Sequence, residues 1–64
     1  MVLFLVFKKI SPGPWRSYYT VQEGEYVTQE RVIDDNLALG HRVLKLTIDT
    51  DQPTWPATVE MLTE

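Results

Sequence analysis

The run Met1-Val-Leu-Phe-Leu-Val-Phe7, continued by Lys8-Lys9-Ile10 and stopped by Ser11-Pro12-Gly13-Pro14, decides how the rest of the chain is read. It is built of β-branched, aromatic and leucine residues at strand length, so residues 2–10 are expected as a strand. Side chains alternate between the two faces of an extended chain. Val2, Phe4 and Val6 therefore share one face, and Leu3, Leu5 and Phe7 share the other. Both faces are apolar, the pattern of a strand covered on two sides. The run is too short to span a bilayer, which takes about 20 apolar residues. A secretory signal would carry its basic residues before the apolar run and a small-residue cleavage site after it, whereas Lys8 and Lys9 follow. The expectation is a cytoplasmic protein with no membrane partner.

Outward from this strand, Ser11–Pro14 is turn chemistry, with Pro presetting φ and Gly supplying a positive φ for a type II turn. A second strand reads from Trp15 to Gln22, with Trp15, Ser17, Tyr19 and Val21 on one face. Glu23-Gly24 supplies the next reversal, and Tyr26–Ile33, rich in β-branched residues, is expected as a third strand. Asp34-Asp35-Asn36 breaks it and caps a helical turn over Leu37–Leu39, which Gly40 ends. His41–Thr50 is the clearest alternating strand, with Leu44, Leu46 and Ile48 expected inward and Lys45, Thr47 and Asp49 outward. A single helix from Asp35 to about Leu46 is the rival reading, and Gly40 in its interior weighs against it. Trp55-Pro56 is expected as an extended corner, because the residue before proline is pushed away from helix. A last strand at Ala57–Leu62 puts Ala57, Val59 and Met61 on one face.

These elements make a single mostly β domain over residues 1–64. The expected form is an antiparallel sheet or curled barrel of four to five strands, with one short helical turn near residues 35–40. The 64 residues allow one domain and no more. A chain this short buries only about 60% of its unfolded surface, and small domains usually add disulfides, metals or oligomerisation. It has no cysteine, which removes disulfides, thiolate metal sites and a cysteine nucleophile. Subunit association is the stabiliser left most open. At 44% hydrophobic residues the chain has ample apolar content to collapse. Its net charge of −3 gives solubility without naming a partner, and it argues against a generic nucleic-acid binder, whose surface is basic.

Catalytic signals are absent from the sequence. His41 is the sole imidazole, and neither Ser11 nor Ser17 sits in a nucleophile-elbow setting. Asp34-Asp35 and Asp49-Thr50-Asp51 carry carboxylates suited to a hard cation. Gln52-Pro53, however, stands where a calcium loop needs a ligand and a glycine. The three glycines are isolated and form no phosphate-binding loop. No enzyme, cofactor, metal or catalytic residue is expected.

What the pattern favours is a non-catalytic interaction domain. Leu3, Leu5 and Phe7 form its apolar face, Tyr18 and Trp55 act as aromatic anchors, and the occupant is a second copy or a partner protein. The alternative is a small nucleic-acid-binding β module. Lys8, Lys9 and Arg16 gather at one end of a hairpin beside Trp15, Tyr18 and Tyr19, a combination of cations and stacking rings. An acidic mimic using Glu23, Glu25, Glu30, Asp34 and Asp35 is a third reading.

Overall fold

The computed structural model describes residues 1–63. Its elements are β1 (Val2–Lys9), β2 (Trp15–Gln22), α1 (Gln29–Leu37), β3 (Arg42–Ile48) and β4 (Ala57–Met61). The protein is mostly β. Its four strands form one open antiparallel sheet in the spatial order β2-β1-β3-β4, and a barrel is not formed. No helix among the described residues is long and apolar enough to cross a membrane.

β2 and β3 each pair antiparallel with β1, so they run in the same direction on either side of it. A chain that leaves one and enters the other must cross a face of the sheet. α1 makes that crossing and packs on β1 and β3. The covered face holds a small core of Phe4, Val6, Val32 and Val43, flanked by Val2, Tyr19, Val21, Val27 and Leu62.

α1 corrects the expected third strand at Tyr26–Ile33. Its N-terminus is set by Thr28, whose hydroxyl accepts the Arg31 backbone N–H at 3.3 Å, and Glu30 lies in the first turn, where a carboxylate suits the helix dipole. Val32 and Asn36, four apart, are the buried residues of the helix. Asp34, Asp35 and Asn36 therefore lie inside a helix rather than breaking a strand. The β-branched Val27, Thr28, Val32 and Ile33 suggested extended chain, but tertiary burial of one helical stripe outweighs that preference.

Gly40, at φ 74°, ends the helical segment as expected. The Gly40 N–H donates to the Leu37 carbonyl and the His41 N–H to the Asn36 carbonyl, the two bonds of a Schellman close. The rival helix from Asp35 to Leu46 is thus divided, helix before Gly40 and strand after Arg42. In the first hairpin the turn also departs from expectation. The Ser11–Pro12 peptide is cis, Gly13 is not in the left-handed region, and a Cβ there would collide with the Ile10 carbonyl oxygen. Trp55 is left-handed at φ 47°, not extended.

The register of β1 and β2 shifts between Val6, opposite Tyr19, and Phe7, opposite Ser17. Tyr18 is the extra residue of a β-bulge, so the faces of β2 exchange at that point. Tyr19 and Val21 join the core, while Trp15 and Ser17 turn to the other side. The expectation that Trp15 and Tyr19 share a face is corrected accordingly.

Replacement of the helix-capping hydroxyl, Thr28→Ala, is expected to lower stability by about 1 kcal/mol. Urea unfolding followed by far-ultraviolet circular dichroism, at fixed protein concentration, checks it.

Candidate functional site

Among the described residues, no layer packs on the second face of the sheet. Antiparallel partners share a face, so the register places Leu3 beside Leu46 and Leu5 beside Leu44. In turn, Leu44 pairs with Met61, Leu46 with Val59 and Ile48 with Ala57. Phe7 and Trp15 complete the patch at one end, where they line a recess of about 190 Å³ with Arg42, Leu44 and Met61. Val59 is 65% exposed and Met61 56%.

Leu44, Leu46 and Ile48 were expected to point inward. They do share a face, but it is the uncovered one. Val43 and Lys45 take the covered side, where the Lys45 ammonium reaches past the core to donate to Gln29 Oε1 at 3.1 Å.

The dimensions of the molecule agree with an unfinished core. Its accessible surface is 4816 Å², where a compact 7.4 kDa monomer exposes about 4,200 Å². Its radius of gyration is 12.7 Å against about 11 Å for a compact chain of this length.

Leu3, Leu5 and Phe7, singled out from the sequence, therefore lie together on this face. Tyr18 and Trp55 do not join them. Tyr18, the bulge residue, instead meets the rings of Tyr19 and His41 edge-on, each at 5.3 Å between centroids. Trp55 lies in the β3–β4 connection, at the opposite end of the sheet from Phe7.

Arg42 is the polar element of the face. Its guanidinium carbon stands 4.4 Å from the centroid of the Trp15 ring, a cation–π contact, and its Nε is buried with no hydrogen-bond partner among the described residues. Sequence reading missed this pair because the two residues are far apart in the chain and meet only through the β2-β1-β3 order.

Lys8, Lys9 and Arg16 do come together. With Ile10, Ser11, Ser17 and Tyr18 they line a shallow groove of about 510 Å³ at the hairpin end, and the Lys8 ammonium lies 5.4 Å from the Tyr18 ring centroid. The expected hairpin partnership across Ser11–Pro14 produces this cluster, with Lys8 opposite Arg16.

His41 belongs to a buried polar network. Asn36, 2% exposed, donates through Nδ2 to the Val32 carbonyl and to the Tyr19 hydroxyl, both at 2.8 Å. Its Oδ1 is then the acceptor for His41 Nδ1 at 2.8 Å, which assigns the proton to Nδ1. The network ties α1 to β2 and to the start of β3. No group of three His, Asp or Glu side chains suited to a metal ion occurs among the described residues.

Comparison with protein-family models, curated proteins and solved structures finds no match to this chain.

Asn36→Ala leaves the Tyr19 hydroxyl and His41 Nδ1 without their shared partner. A loss of about 1–3 kcal/mol is expected, measured by chemical denaturation.

Proposed function

We propose that the chain is a small interaction domain that works by covering its open sheet face with a second copy of itself. The observation that carries the reading is the continuous apolar patch of Leu3, Leu5, Phe7, Leu44, Leu46 and Met61, drawn from three neighbouring strands. Met61 is exposed, and Leu3, Leu5, Phe7, Leu44 and Leu46 are half-buried, so each still has apolar surface to cover, part of the roughly 1.5–3 kcal/mol that full burial of such a side chain contributes.

The surface in excess of a compact monomer is about 600 Å² per chain, from the 4816 Å² exposed. A standard interface removes about 800 Å² from each partner. Two such sheets packed face to face at about 10 Å would form a β-sandwich with a shared core. A twofold dimer uses the same patch on both copies, so one surface answers both needs.

The Lys8–Lys9–Arg16 groove beside Tyr18 supports a second reading, a single-stranded nucleic-acid module. The net charge of −3 works against it. Its signature is affinity for short oligonucleotides that falls steeply with salt.

Leu46→Lys places an ammonium in the centre of the apolar face without touching the helix-side core. Sedimentation equilibrium is expected to find the unsubstituted protein dimeric at micromolar concentration and this variant monomeric, with the β signal in circular dichroism retained. A monomeric unsubstituted protein at that concentration would sink the reading.

A further inference from the structure

The charges of this molecule are sorted by end. β1 ends, and β2 and β3 begin, at one end of the sheet, which carries Lys8, Lys9, Arg16 and Arg42, four of the six Lys and Arg residues of the chain. β4 ends there as well, and among the described residues no Asp or Glu occurs in the stretches that build this end, residues 8–18, 37–43 and 61–63. The opposite end carries Glu23, whose N–H donates to the Val2 carbonyl, then Glu25, and Asp49 and Asp51 beyond β3. The Asp51 N–H donates to Asp49 Oδ1, which folds this acidic segment back on the strand end. The amino group of Met1, bonded to the Ile48 carbonyl, is a cation at the acidic end, set against four carboxylates.

A face-to-face pair related by a twofold axis has two simple arrangements. With the axis along the strands, like ends lie over each other, cations on cations and carboxylates on carboxylates. With the axis across the strands, each acidic end lies over the basic end of the other copy, twice over. Charge complementarity of this kind sets the orientation of an interface more than its strength. Arg42 supplies a second reason. Its guanidinium, stacked on Trp15, lies at the basic end and on the apolar face, where a carboxylate from the acidic end of another copy would meet it.

Resting on the dimer reading above, we propose that the second copy docks with its strands antiparallel to those of the first, acidic end over basic end.

The absence of cysteine makes the test direct. Lys9→Cys and Gln22→Cys introduce one thiol each at opposite ends of the sheet, on the open-face register. Each chain is treated with a thiol cross-linker of roughly 10 Å reach, the spacing of packed sheets. In the antiparallel arrangement a thiol at Lys9 is separated from its own copy by most of a strand length, about 20 Å. The expected result is covalent dimer from an equimolar mixture of the two variants, at least fivefold more than from either variant alone. Equal or greater cross-linking of each variant with itself, in a protein that sedimentation shows to be dimeric, overturns the orientation and leaves the dimer reading intact. A monomer in sedimentation overturns both.

Discussion

A sheet with two apolar faces and one crossing helix cannot cover both of them. That constraint organises this molecule. β2 and β3 flank β1 and run in the same direction, so a single crossing of the sheet is required between them, and the nine residues of α1 make it on one side only. Beneath the helix the side chains are arranged as a protein interior. Phe4, Val6 and Val43 are fully enclosed, Val32 caps them, and the polar groups that must enter are paired through Asn36. Across the sheet, the apolar side chains of β1, β3 and β4 have no layer above them among the described residues. Oligomerisation is one of the few ways in which a chain of this size compensates for a small core, and the apolar residues of the open face form a contiguous patch across β1, β3 and β4 rather than a scattering.

The polar features of the fold fall into two kinds. The Asn36–Tyr19–His41 network fixes where α1 sits, because a buried amide with three partners tolerates one placement far better than its neighbours. The bulge at Tyr18 does related work in the sheet. Without the extra residue, Trp15 would fall on the face of Tyr19, the recess beside Phe7 would lose a wall, and Arg42 would lose the ring on which it rests. Arg42 belongs to the second kind. It is a cation set into an apolar surface, resting on an aromatic ring, with its Nε buried and without a hydrogen-bond partner among the described residues.

Much of this was legible in the sequence, and the gaps have physical causes. The double-sided character of β1 follows from strict alternation, so the grouping of Leu3, Leu5 and Phe7 could be read directly. Alternation also groups Leu44, Leu46 and Ile48, but it says nothing about which face a helix will cover. The structure puts the helix over Val43 and Lys45, because a lysine stem can lie along apolar surface while its ammonium reaches Gln29. The helix itself was hidden by four β-branched residues, although Thr28 as cap and the four-residue spacing of Val32 and Asn36 were signals available in the chain. The exchange of faces along β2 has no such signal. Tyr18 and Tyr19 stand side by side and either could face the core, so only pairing with β1 shows which residue is added.

The central claim is that the layer missing from this fold is supplied by another molecule of the same chain. An isotope-filtered nuclear Overhauser experiment, on a sample mixing ¹³C-labelled and unlabelled protein, reads that contact atom by atom. Methyl groups of Leu5, Leu44 and Leu46 are expected to show cross-peaks to protons of an unlabelled copy, while those of Val6 and Val43, beneath α1, show none. Leucine methyls that see only water would contradict the account.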